Sequence, residues 1–585
     1  MSGAPAPPAL LGIEASLTGR RWVGLALEQD RLAEAMARDT GLPDALCRVL
    51  VRSGVAGTAV EQFLQPSLRD LLPDPLALRD MGLAATRFLL AVRKEQRIAI
   101  FADYDVDGGA SAALLIIWLR AMGRRATLYI PDRIDEGYGP NEAAMAGLAA
   151  AHDLIVCVDC GTLSHGPIAA ARGADVVVLD HHLGAETLPA ALAVVNPNRQ
   201  DEDGSLGHLC AAGVVFLMLV EANRQLRGAG ITGPDLMAML DLVALATVAD
   251  VAPLIGLNRA LVRQGLKVMA RRERVGLVAL ADVARLDQAP TTYHLGFLLG
   301  PRVNAGGRIG QADLGARLLA TDDPHEAAAM AERLDALNME RRAIEGAVRA
   351  AALAQAEARG FAGPLVWAAG EGWHPGVVGI VAARLKEASN RPAVVIGLEG
   401  DIGKGSARSV NGVDLGAAVQ RLVAEGLLLK GGGHKMAAGL SVARGGIEAA
   451  MARLGELLAR QGSGQSDVAT LRIDAVLMPT AATLALIERL EAAGPYGASA
   501  PAPRLVFPGQ IIRSSRRIGE NHLRISFGDG PGARLEAVAF GAFDSPLGAA
   551  LAAAQGRFHL AGRLEINTWQ GRSKVQLRLE DAARA

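Results

Sequence analysis

The sequence predicts an α/β multidomain protein, and three observations predict it. Between residues 97 and 195, short β-branched apolar runs alternate with helical stretches, the pattern of a parallel sheet buried on both faces. Residues 312–360 are rich in Ala, Glu and Arg and lack proline after Pro324, which reads as a long connecting helix. From residue 467 onward the chain carries short alternating strands, as a small β-barrel would. At 585 residues the chain exceeds what one hydrophobic core supports, so several domains are expected.

In chain order, residues 1–85 form a proline-broken, mostly helical lead-in. Residues 86–310 form the parallel-sheet domain, with strands expected at 97–102, 126–131, 154–158, 175–179 and 192–195 and a helical part from about 208 to 270. The connecting helix takes 311–360. A second α/β domain takes 361–462, with strands at 364–369 and 393–398. The stretch GSGQS at 462–466 is a linker by composition, and 467–585 is the barrel.

Composition excludes several classes. A net charge of −1 rules out a uniformly basic nucleic-acid binder, although a local basic groove remains open. The four cysteines, Cys47, Cys157, Cys160 and Cys210, are too sparse for a disulfide framework. Cys157 and Cys160 form a CxxC without a second ligand pair, inside a run that reads as a buried strand, so zinc and redox roles are set aside. The N-terminus has no basic stretch ahead of its apolar part, and apolar runs such as 112–119 are too short to span a bilayer. A soluble, cytoplasmic protein with no membrane contact is the expectation.

The chemistry concentrates at strand ends. DYDVDG at 103–108 follows the run RIAIFA and alternates Asp103, Asp105 and Asp107. Alternate residues of an extended segment point the same way, so three carboxylates can aim at one point. That much unpaired negative charge in a cleft is costly unless a divalent cation relieves it. An acidic surface turn shares the spacing. An EF-hand does too, but its twelfth position would be Leu114 in place of Glu. The same event recurs where LIVCV meets Asp159 and where DVVVL meets Asp180-His181-His182. Loops at the carboxyl ends of parallel strands converge on one site; a single Asp there could equally cap a helix. Asp250, ending an apolar helical run, is a fourth candidate. An oxygen-rich set with imidazoles suits Mn²⁺ or Mg²⁺ better than zinc, and so many carboxylates point to two cations.

DYDVDG, VDCG (158–161), LDHH (179–182) and TVADV (247–251), in this order, resemble the four motifs of the DHH phosphoesterase family. The resemblance implies metal ligation by Asp105, Asp107, Asp159, His181 and Asp250. It gives Asp103 a supporting place, Asp180 the orientation of a histidine, and His182 either metal or the scissile phosphate. The family includes enzymes acting on short oligonucleotides or other small phosphate substrates, which is the alternative reading. Three further features resemble its RecJ-like exonuclease branch. LGPRVNAGGRIG at 299–310 implies Arg302, Asn304 and Arg308 as phosphate-binding candidates. The segments at 373–387, 403–409 and 430–439 look like the associated DHHA1 domain, and the chain continues into an OB-like barrel. The resemblance covers nearly the whole chain after about residue 40. It implies 5′-to-3′ hydrolysis of single-stranded DNA to mononucleotides, in repair and recombination, by a monomer working beside a helicase and a single-strand-binding protein.

Two physical readings stand beside it. GGGH at 431–434 lets the backbone approach a ligand closely, and consecutive N–H groups would make an anion nest. Gly432, Gly433 and His434, with Ser406 and Arg408, are therefore candidates for a terminal phosphate; a plain glycine turn is the alternative. Residues 501–585 hold twelve basic and seven acidic residues. Arg513, Arg516 and Arg517 cluster there, with Phe527, Phe540, Phe543 and Trp569 as possible stacking faces. Each aromatic could equally fill the barrel core, and Trp569, in a polar stretch, is the best exception.

Overall fold

The computed structural model describes residues 8–132, 136–137, 139–464, 469–530, 534–569 and 572–585. The chain forms two compact units. One contains residues 74–250 and 265–466, the other residues 1–73, 251–264 and 467–585.

In the first unit, five parallel strands lie in the order Ala126–Tyr129, Ile98–Ala102, Leu154–Val158, Asp175–Leu179, Ala193–Val195. Every residue of Ile98–Ala102 and Leu154–Val158 is buried, which is why their runs are continuously apolar. The register aligns Ala102 with Val158 and Val158 with Leu179. Asp103, Asp159 and Asp180 therefore leave the sheet side by side at its carboxyl edge. Helices Ala211–Gly228 and Leu240–Ala249 follow. The long helix is Pro324–Arg359, later than its expected start. The Asp323 side chain accepts from the N–H groups of His325 and Glu326, and Pro324 fills the first turn. Leu314–Ala320 is a separate helix.

A second five-stranded sheet in this unit has the order Lys430–His434, Ala437–Ala443, Ile402–Arg408, Ala393–Glu399, Val366–Glu371. Only the last pair is parallel. GGGH thus lies within a regular antiparallel strand. The nest of consecutive N–H groups expected from Gly432, Gly433 and His434 does not form, because ladder pairing turns successive N–H groups in opposite directions. Glycine is still required at 433, where φ is +151° and a Cβ would come within 2.3 Å of Ala437 O.

In the second unit, Leu505–Ile518, His522–Gly528, Leu535–Ala539, Arg572–Arg584 and Arg557–Trp569 pair in that order, and the last returns to the first. The five strands close into a barrel and leave no free edge. Phe507, Phe527 and Phe558 fill its interior, so Phe527 is core and not a stacking face. The lead-in is not a unit of its own. Arg21–Val23 pairs in parallel with Thr470–Arg472, and the buried Trp22 donates Nε1–H to Asp581 Oδ2 at 2.9 Å. Arg52 pairs with Asp474. The helix Met81–Arg93, by contrast, belongs to the first unit, where Arg87 pairs with Asp175 at 2.6 Å. Among the described residues, no helix is long and apolar enough to cross a membrane.

Candidate metal centre

The first acidic loop is shaped by its own backbone. Asp105 caps the helix Val106–Ala121, its Oδ1 accepting from the N–H groups of Asp107 (2.9 Å) and Gly108 (3.1 Å). Asp107 is buried and reaches the start of the helix Ala211–Gly228. There its two oxygens accept from Ala211 N (2.7 Å) and Ala212 N (2.8 Å). A Cβ on Gly108 would lie 2.4 Å from Asp103 O, so the tight return of DYDVDG depends on glycine there. Gly108→Ala is expected to lower Mn²⁺ affinity by at least about tenfold by displacing this loop. Calorimetric titration of the purified variant checks it.

Asp159 adopts φ +59°, a left-handed conformation that Asp tolerates better than most residues. It turns the side chain into the site, where its buried Oδ1 has no hydrogen-bond partner. His181 Nε2 is 3.2 Å from that oxygen, 3.6 Å from Asp107 Oδ2 and 3.8 Å from Asp250 Oδ2. Three overlapping groups each place one donor atom per residue within 4.8 Å of the others: Asp103, Asp105 and Asp159; Asp107, His181 and Asp250; Asp159, His181 and His182. Asp103, read from sequence as a supporting residue, stands with the ligand candidates. Asp180 stands apart from these groups. It accepts from Thr162 N, His181 N, His182 N and His182 Nδ1, the last at 2.8 Å.

The electrostatics divide the site in two. Burial, then the charges of Asp105, Asp107 and Asp103, drive the Asp159 carboxyl well above the usual range. Burial raises Asp107 as well, and the charge of Asp105 adds to it. Burial and the charges of Asp107 and Asp105 push Asp250 up to about 8. Burial alone would neutralise Asp180 and His182, but their hydrogen bond and opposite charges outweigh it. Asp180 is held below the carboxylate range and His182 is raised to about 9. A cluster of mutually repelling carboxyls with an orphaned buried oxygen fits divalent cations. The charged His182–Asp180 pair is the rigid edge of the site.

The phosphate candidates separate. Asn304 Oδ1 accepts the N–H of Val106 at 3.0 Å and so supports the acidic loop. Arg302 does not face a substrate: its Nε donates to Asp335 Oδ1 (2.9 Å) and its other arm to Leu298 O. A carboxylate on the long helix lies within its reach and takes it. Arg308 and Ser406 line a cavity of about 270 Å³ together with Lys404 and Lys430. The two lysines were missed in the sequence, although Lys404, Ser406 and Arg408 alternate along Ile402–Arg408 and so share a face. A Cβ on Gly379 would touch both Arg408 and Ser406, so these two side chains converge over that glycine. Gly432, Gly433 and His434 do not line the cavity; Gly431 and Gly439 do.

On the barrel, Arg513, Arg516 and Arg517 are exposed. Arg516 stands opposite Arg524 across the ladder, a further exposed arginine that had not been singled out. Arg517 lies over the Phe543 ring at 4.3 Å, and Phe540 is exposed. The side chain of Trp569 lies outside the described residues.

The comparisons agree with this geometry. Residues 97–247 match the DHH family, N-terminal domain, residues 362–460 the DHHA1 domain, and residues 473–581 the RecJ OB domain. The single-stranded-DNA-specific exonuclease RecJ of Dickeya dadantii is 38% identical over 566 residues, spanning 93% of this chain and 97% of that protein. The Escherichia coli protein of the same name is 36% identical over 578 residues, 95% of this chain and 98% of its own length. The crystal structure of RecJ from Thermus thermophilus in complex with Mn²⁺ superposes with a TM-score of 0.80 at 30% identity. It covers 96% of this chain and 79% of that one. The Mg²⁺ complex from the same organism gives 0.74 at 29% identity, over 96% of this chain and 78% of that one. With its strand-end carboxylates gathered around His181 and with relatives aligned over nearly its whole length, the chain belongs to the RecJ family of DHH proteins.

Proposed function

We propose that this protein hydrolyses single-stranded DNA from its 5′ end, releasing mononucleotides, with two divalent cations, Mn²⁺ or Mg²⁺. The observation that carries the reading is the convergence of Asp103, Asp105, Asp107, Asp159, His181 and Asp250 on one site. Relatives named single-stranded-DNA-specific exonuclease support the substrate class. Asp105, Asp107, Asp159, His181 and Asp250 would hold the cations, with Asp103 beside them. When bound, such cations supply an activated water and neutralise charge on the departing oxygen.

The protein's own groups do the rest. His182 gives its Nδ1–H to Asp180 and keeps a second proton at Nε2, so it presents a fixed imidazolium to a non-bridging phosphate oxygen. Asn304 holds the acidic loop in place. Arg308, Lys404, Ser406 and Lys430, with Arg408 next to Ser406, receive the terminal 5′ phosphate. The exposed arginines of the barrel hold the strand further along by backbone charge. In the same reading the protein acts as a monomer on strand presented by a helicase or a single-strand-binding protein.

The test uses a single strand of about 50 nucleotides labelled at either end, a blunt duplex control and an EDTA blank. Mononucleotide released at once from the 5′ label, with the duplex intact, is the expected result. Cleavage confined to oligomers of a few nucleotides would overturn it in favour of a small-substrate phosphodiesterase. In the same assay Arg408→Ala is expected to raise KM about tenfold or more for 5′-phosphorylated strands and far less for 5′-hydroxyl ones, since a charge-assisted contact is lost. A loss blind to the end group would place the phosphate elsewhere.

A further inference from the structure

The segment Thr292–Ile309 runs as one helical rod: an opening turn (Thr292–His294), a π-helical stretch (Leu295–Leu299) and an α-helix (Gly300–Ile309). It already serves the site twice, through Asn304 under the acidic loop and Arg308 at the phosphate cavity. Its N-terminal part carries a feature that neither role uses. Tyr293 and Phe297 are 56% and 70% exposed, and their rings stack on each other at 5.2 Å with 28° between planes. Large aromatics left in water, paired and parallel, are unlike the rest of this surface, because burying them would gain hydrophobic free energy.

The rod fixes where these rings lie. Gly296 and Gly300 face the helix that ends at Asp250: a Cβ on each would sit 3.4 Å from Val248 Cγ1 and 3.2 Å from Ala249 Cβ. Gly307 packs on Tyr104 of the acidic loop in the same way. On the other side, Arg302 faces the long helix through Asp335. At about 100° per residue in the α-helix, and a smaller turn per residue across the π stretch, Tyr293, Phe297 and Arg308 fall on one side of the rod. That side neighbours Asn304. The π stretch is what brings the rings into line with Arg308. Along the rod, Arg308 to Asn304 rises about 6 Å, and Asn304 to Phe297 about 10 Å further in the same direction. The order is therefore phosphate cavity, acidic loop, aromatic pair.

We propose that Tyr293 and Phe297 form a stacking platform for a nucleobase of the single strand, about two nucleotides to the 3′ side of the bond being cut. The assignment rests on the proposed function, because the direction of the strand is set by the 5′ phosphate at the Arg308 cavity. Every base offers a π-face, so the platform accepts any sequence. A duplex keeps its bases stacked on one another and cannot offer one to the rings without unpairing. The platform therefore favours single strands for a reason independent of channel width.

The experiment moves a single abasic position along a 5′-phosphorylated strand of about 12 nucleotides and measures KM for the first cleavage. For the wild type, KM is expected to rise about tenfold when the missing base falls at the platform and little when it falls further on. Phe297→Ala should raise KM for the intact strand by a similar factor and lose its sensitivity to that abasic position. Phe297→Trp should keep both. The ring is mostly exposed, so neither substitution disturbs the core. If Phe297→Ala and Tyr293→Ala both reproduce the wild-type abasic profile, the platform is overturned and the pair is a surface for something other than DNA. If the wild type cleaves no single strand, the functional reading falls and takes this inference with it.

Discussion

Asp159→Asn is expected to reduce single-strand hydrolysis by about a thousandfold or more, because it removes a shared anionic ligand from a site whose chemistry depends on bound cations. It is a cleaner probe than Asp107→Ala. Asp107 also caps the helix Ala211–Gly228 through Ala211 N and Ala212 N, so its loss mixes stability with catalysis. Asp159 Oδ1 has no hydrogen bond to lose, and Asn tolerates the left-handed backbone that Asp159 adopts at φ +59°. The substitution also makes a second prediction of opposite sign. In metal-free protein Asp159 adds to the repulsion among Asp103, Asp105, Asp107 and Asp250. Removing it should therefore leave the apoprotein as stable as the wild type or more so, while abolishing most of the stabilisation by Mn²⁺. Thermal melts of both proteins with and without Mn²⁺ check this. An Asp159→Asn protein that still cleaves single strands at the wild-type rate would remove Asp159 from the ligand set.

Chelation should change not only the stability of the protein but the sign of its dependence on pH. In the metal-free state Asp250 is raised to about 8, with Asp107 and Asp159 displaced in the same direction. A carboxyl whose folded pKa exceeds its unfolded value binds more protons folded than unfolded, so stability falls as pH rises between the two. His182, raised to about 9 by Asp180, acts in the same sense: its contribution is complete below about 6.5 and lost as pH passes 9. Asp180 is lowered, so its contribution fades only in acid. The apoprotein should therefore lose stability steadily from about pH 5 to pH 9. Cations bind the deprotonated ligands, so their stabilisation grows over the same interval. It reaches about 2.7 kcal/mol per site when free metal stands at a hundredfold excess over Kd. The shift in melting temperature between Mn²⁺ and EDTA should be small near pH 5.5 and large near pH 8.5. A shift independent of pH would mean that the raised carboxyls are not the ligands.

The sequence by itself determined the central sheet and most of the metal centre. Its β-branched runs are buried on both faces of parallel strands, and in-register strands bring the residues after Ala102, Val158 and Leu179 to one edge. Both facts are local: burial leaves its period in the chain, and the chemistry follows directly at each strand end. The barrel was legible for the same reason. Partner choice was not. Arg302 looked free in its motif, yet Asp335 takes it from the long helix, because a long flexible cation pairs with whichever carboxylate the fold brings within reach. GGGH reads as a loop, yet pairing with Ala437–Ala443 makes it a strand, since neighbouring strands can override weak local propensity. Residues 251–264 follow Asp250 without a break in pattern, yet they belong with the barrel unit. There the buried Arg259 donates to the carbonyls of Phe63, Ala493 and Gly494. Carbonyls are offered by every residue and leave no mark on composition, so only the tertiary structure could choose which of them would bind a buried arginine.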